Sequence, residues 1–173
     1  MTSQNAGLIR ASLTELFPRR EEFAERFYER FFEQAPQVRR MFVHDSEKQK
    51  LMLYAAIAMT MRGLESERVL HSELMAFGSR HARLGVREEH FPIFGSAFLE
   101  TLIHFLPQWD HPDLARAWWG AFTDMSTPII AGLKAEIAVM TAERKLFTGE
   151  GVESPVIVLG RRLEDHYAHN RLH

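Results

Sequence analysis

A chain of 173 residues with 21 Lys and Arg against 23 Asp and Glu is long enough for one domain with a substantial core, and its mixed charges form no basic stripe, which argues against a nucleic-acid partner. The absence of cysteine excludes disulfides, iron–sulfur clusters and thiolate ligands, leaving His, carboxylate or Tyr for any metal chemistry. The N-terminal Met-Thr-Ser-Gln-Asn lacks the pattern of a secretion signal and no apolar run approaches about 18 residues, so a soluble, cytoplasmic chain with no membrane partner is expected.

Helical periodicity persists along the chain and predicts an all-α fold. From Ser3 to Phe17 the stripe is Leu8, Leu13, Leu16 and Phe17, and Pro18 ends it or starts the next element. A second helix is predicted from about Arg19 to Gln34, with Phe23, Phe27 and Phe31 on its buried face and Tyr28 and Phe32 beside them. So aromatic a stripe calls for something large and flat, or a bulky core, opposite it. Pro36 opens a short helical turn through Val38 to Phe42. Asp45 or Ser46 can cap the next helix, whose inward face runs Gln49, Met52, Leu53, Ala56, Ile57 and Thr60 until Gly63.

A further helix, from Ser66 or Leu70 to Leu84, ends at Gly85. Another runs from Glu88 to Leu106, with Phe91, Phe94, Phe98, Leu99 and Leu102 inward and Pro107 behind it. Asp110, Pro112 and Asp113 begin the last, whose apolar residues run from Leu114 through Trp118, Phe122, Met125, Ile129, Ile130 and Leu133 to Ile137, with a kink predicted at Pro128. Beyond Thr148 the composition shifts to a β-branched run, Val156 to Leu159, and a charged end containing histidine. One domain over 1–141 and a C-terminal extension over 142–173, packed on it, is the expected organisation.

Three polar residues fall on apolar faces: Tyr28, Gln49 and His81. His81 shares its helix face with Leu74, Phe77 and Leu84, at −7, −4 and +3. An imidazole placed there is either a core histidine with both nitrogens satisfied or a metal or haem ligand. Taken singly, Tyr28 reads as a core-edge tyrosine and Gln49 as a helix-start residue reaching solvent. His90 reads as a structural residue at its helix start. The other histidines show no ligand spacing on one face, apart from His166 and His169 in the tail. No paired-carboxylate site is indicated.

The stretches Phe27-Tyr28 through Pro36, Val38 and Phe42, then Gln49 through Leu53, then His81-Ala-Arg-Leu-Gly85-Val86 followed by His90-Phe91-Pro92, resemble single-domain bacterial globins and the globin half of flavohaemoglobins over about residues 5–140. The resemblance implies a globin fold, a three-over-three helical sandwich around a haem b. His81 is then the proximal iron ligand, Phe42 packs on the porphyrin, Leu53 lies over the iron, and Val86, Phe91 and Phe94 line the pocket. Arg80 would reach a propionate, and Tyr28 with Gln49 would form the distal pair that stabilises a bound gas. The implied function is reversible O₂ binding and oxygen supply at pentacoordinate iron, with NO and CO as further ligands. Nitric oxide dioxygenation with a separate reductase, and gas sensing through the tail, are the alternatives; homodimerisation stays open.

Two departures qualify the resemblance. Flavohaemoglobins back the proximal histidine with a tyrosine and a glutamate, where this chain has Phe91 and, in ungapped alignment, Leu133, with Lys134 and Glu136 nearby. Without that relay the imidazole has less imidazolate character and O–O activation is weaker. Gly149-Glu150-Gly151 lacks the spacing of a dinucleotide fingerprint, so the electrons for any turnover come from elsewhere.

Overall fold

Prolines punctuate the helices. In the computed structural model, which describes residues 2–42, 46–63 and 67–148, six α-helices follow one another: α1 (Ser3–Leu16), α2 (Arg20–Gln34), α3 (Ser46–Gly63), α4 (Glu67–Arg83), α5 (His90–Phe105) and α6 (Pro112–Thr148). Short 3₁₀ turns at Phe17–Arg19, Pro36–Met41 and Pro107–Trp109 each carry a proline at their start, where a missing N–H costs nothing. No strand occurs among the described residues, and the all-α expectation holds. Thr2 caps α1 by accepting from the Asn5 amide, and Glu21 and Glu22 face the positive end of α2. Pro128 does not end α6, and the Thr123 carbonyl in the preceding turn accepts from the Ser126 and Thr127 hydroxyls.

The core has two centres. In the larger one, α2 packs on α5 through edge-to-face rings: Phe23 meets Phe98 at 5.4 Å and Phe105 at 5.7 Å, and Phe27 meets Phe94 at 4.9 Å. Phe23 and Phe27 are fully buried, each worth roughly 2–3 kcal/mol in area removed from water. Trp118 of α6 adds its ring against Phe98, and its indole N–H donates to Ser12, whose hydroxyl in turn donates to the Ile9 carbonyl. The smaller centre gathers Leu70, Leu74 and Ile129 with Met59, Phe77, Phe91 and Met125.

At α1 the expected stripe is corrected. Ile9 and Ser12 are buried, whereas Phe17 is 63% exposed, because the 3₁₀ turn rotates it off the helix face, where it lies under the Arg20 guanidinium.

α4 and α6 approach until their backbones touch. A Cβ on Gly78 would lie 1.9 Å from the Ile129 carbonyl oxygen, and one on Gly132 would lie 2.0 Å from that of Met75. Only glycine permits this, and the Ser79 hydroxyl ties the crossing by reaching the Gly132 carbonyl at 3.2 Å. The contact pattern divides the chain into two units, Met1–Glu136 and Ile137–His173, of which the second is described only over residues 137–148. The expectations for Val156 to Leu159 and for His166 and His169 lie outside the described residues. No helix among the described residues is long and apolar enough to cross a membrane.

Candidate functional site

His81 sits in the last turn of α4, three residues beyond the Gly78 contact. Its Nδ1 lies 2.9 Å from the Phe77 carbonyl oxygen, which can only accept, so Nδ1 carries the proton and Nε2 keeps its lone pair. Among the described residues Nε2 has no hydrogen-bond partner. Burial pushes the His81 pKa below the usual imidazole value; the Phe77 hydrogen bond opposes this shift and Arg80 adds to it. The ring is therefore a neutral donor of an electron pair. The Phe77 ring lies against it at 3.9 Å between centroids.

Directly after His81 the chain turns. The amides of Leu84 and Val86 both donate to the His81 carbonyl at 3.1 Å, and Gly85 takes a φ of +85°, which favours glycine. This turn directs Leu84 outward, 63% exposed, so the expectation that it shares the buried face of His81 is wrong.

A cavity of about 210 Å³ opens in front of His81, bounded by residues from both centres of the core. Of the residues singled out in the sequence, Tyr28, Phe42, Leu53, His81, Val86, Phe91 and Phe94 line it. Two do not. Arg80 is exposed, with its guanidinium 6.0 Å from the Phe77 ring centroid, because it follows Ser79 around the helix to the solvent side. Gln49 contributes its main chain instead of lining the cavity: the Tyr28 hydroxyl donates to the Gln49 carbonyl at 2.7 Å. Burial pushes the Tyr28 phenol above its usual pKa, so it stays protonated as that donor.

Several features escaped the sequence reading. Met41, Met52, Met59 and Met125 give the cavity a soft, adaptable lining, which no periodicity distinguishes from ordinary core. Met52, read as inward, is 42% exposed and reaches the cavity only at its rim. Lys50 is buried, its ammonium 2.8 Å from Glu25 and 3.1 Å from Glu47, so it ties the first turn of α3 to α2. The i, i+3 spacing from Glu47 was the available signal. His90 is buried on the cavity wall, and its Nδ1 accepts from the Arg87 amide at 3.1 Å.

The polar lining is otherwise engaged locally. Thr60 donates to the Ala56 carbonyl and Ser126 to that of Thr123. Of the residues considered for a relay, Leu133 is buried, Glu136 pairs with Arg83 at 2.7 Å and Lys134 with Glu88 at 2.7 Å, so among the described residues no carboxylate reaches Nδ1. Among the described residues no group of three metal-ligating side chains converges. A single imidazole suits a metal whose other ligands come from a cofactor.

A family model for globins matches residues 25–129, more than half of the chain. The chain is a globin. This globin is 26% identical over 134 residues to a flavohemoprotein of Chromobacterium violaceum, an alignment covering 75% of this chain and 33% of that protein. It is 26% identical over 151 residues to a protein of Casuarina glauca named anaerobic nitrite reductase, covering 79% of this chain and 92% of that one. A bacterial globin from Campylobacter jejuni superposes with a TM-score of 0.64 at 26% identity, covering 78% of this chain and 97% of that chain. The globin spans about a third of the length of the flavohemoproteins it matches.

Family membership implies a haem cofactor and supports binding of gases to it. The residues fit such a group: an imidazole lone pair without a described partner stands on one wall of a cavity whose lining is largely apolar.

Proposed function

We propose that this globin holds haem b through His81 Nε2 and binds O₂ reversibly in the same cavity. The observation that carries the reading is the Phe77 carbonyl on His81 Nδ1, which fixes the tautomer that directs a lone pair at the cavity. The sequence has no cysteine, so no thioether bond attaches the cofactor. When bound at His81, haem would supply an iron able to take a diatomic gas.

The chain's own residues set the terms. Phe42, Leu53, Phe91 and Phe94 present apolar surface that keeps water from the cofactor faces. With Nδ1 on a neutral carbonyl, the imidazole retains its proton and donates modestly, which favours reversible gas binding over bond cleavage. Tyr28 is the distal hydroxyl, engaged in the structure with Gln49; turning it toward a gas exchanges one neutral hydrogen bond for another, each worth about 1 kcal/mol. Residues 142–173 are proposed as an extension beyond the globin domain.

Reconstitution with haemin tests the reading. The protein should acquire a Soret band that shifts on reduction and addition of CO, and His81→Ala should lose the haem or change its ligation. A chain that takes up no haem overturns the assignment. Reversible O₂ uptake is the expected behaviour, with NO and CO also binding. Sustained NO consumption in the presence of a separate reductase and NADH would assign nitric oxide dioxygenation instead.

A further inference from the structure

We propose that His90 is a carboxylate-binding residue of this site, holding an acidic side group of the cofactor through its Nε2–H. The inference rests on the haem reading above and on four observations. His90 is only 6% exposed and lines the same cavity as His81. Its Nδ1 accepts a hydrogen bond from the Arg87 main-chain N–H, which fixes the proton of the neutral ring on Nε2. Among the described residues Nε2–H has no acceptor. No buried side-chain nitrogen or oxygen among them lacks a partner, so Nε2 is open to the space the residue borders.

Two imidazoles on one cavity are thus set to opposite tasks by opposite backbone groups. A carbonyl on His81 leaves a lone pair; an amide on His90 leaves an N–H. A ring with Nε2 protonated cannot ligate a metal through that atom, which separates His90 from His81 chemically.

The group it suits is an anion. An N–H donor holds an ionised acceptor roughly twice as strongly as a neutral one. His90 is the first residue of α5, so the positive end of that helix adds to the attraction. It directly follows Arg87, Glu88 and Glu89, all exposed, so it stands where the buried wall meets the surface and a carboxylate on it can turn its other oxygen to water, with the Arg87 charge favouring that carboxylate and the Glu89 charge opposing it. Haem carries two such carboxylates. Arg80, the residue the sequence suggested for this task, is on the solvent side of α4 and does not line the cavity.

The test measures the rate of haem loss from the full chain to an excess of a haem-scavenging globin. Wild type, His90→Phe and His90→Gln are each loaded with protohaem and, separately, with its dimethyl ester. With protohaem, His90→Phe should release roughly tenfold faster than wild type, the scale of a charge-assisted hydrogen bond. His90→Gln, which keeps an N–H donor, should recover most of the retention. With the ester, wild type and His90→Phe should release at the same rate. A His90→Phe effect that persists with the ester overturns the proposal, since it reports altered packing of the α4–α5 corner. ¹⁵N NMR of the haem-free chain should find His90 protonated at Nε2; the opposite tautomer also overturns it. A wild type that acquires no Soret band removes the haem reading itself.

Discussion

The two walls of the cavity are held by different means. On the α4–α6 side and at the start of α5, backbones touch at Gly78 and Gly132 and two imidazoles, His81 of α4 and His90 of α5, keep one nitrogen each without a described partner. On the α2–α3 side, Tyr28 is engaged with Gln49, and Lys50 with Glu25 and Glu47. Where main chains set the geometry, side chains remain available for a ligand. Where side chains join the helices, their polar atoms are occupied.

The α4–α6 wall is most vulnerable at the glycine crossing. Gly132→Val places carbon atoms against the Met75 carbonyl, so the helices must separate, at a cost of about 3 kcal/mol or more, read as a large fall in the urea midpoint. Tyr28→Phe should lose only about 1 kcal/mol by the same measurement, because it removes one hydrogen bond and keeps the ring. A Tyr28→Phe loss as large as that of Gly132→Val would show that the side-chain tie, rather than the ring packing, holds the α2–α3 wall. Gly120→Ala should move the other way, stabilising by roughly 0.5–1 kcal/mol, since nothing lies within 4 Å of its added Cβ and α6 loses a flexible residue.

The smallest effect is on pH dependence. Burial lowers the pKa of both His81 and His90 below the ordinary 6.5, so in the haem-free chain the unfolded state binds more protons than the folded state just below that pH. Stability is therefore complete above about pH 6.5 and declines as pH falls through that value toward the lower folded-state pKa values. His90→Gln should flatten this slope in part, measured as urea midpoints across pH 7.5 to 5. An unchanged slope would show that His90 binds its proton equally well in the folded and the unfolded chain.

Periodicity made the helices legible, because apolar spacing and proline breaks are local properties of the chain. The aromatic face of α2 and the inward position of His81 followed from the same spacing. Leu84 failed because the Gly85 turn ends the helix before its period is complete. Gln49 and Arg80 show that a helix position does not specify which side chains reach the cavity: one holds Tyr28 through its carbonyl, the other stays in water. His90 was read as structural, and it does hold the α4–α5 corner. Its place on the cavity wall depends on how α5 leaves that corner, which no single segment encodes.

The glycine crossing also limits how α4 can respond to what binds beside it. With backbones in contact at Gly78 and Gly132, the helix has no room to move closer to α6 at that point. His81 lies three residues away, about 4.5 Å along the axis. The imidazole is therefore held close to the point where α4 is pinned, and the exposed corner that carries Arg87 and leads to His90 follows directly after it.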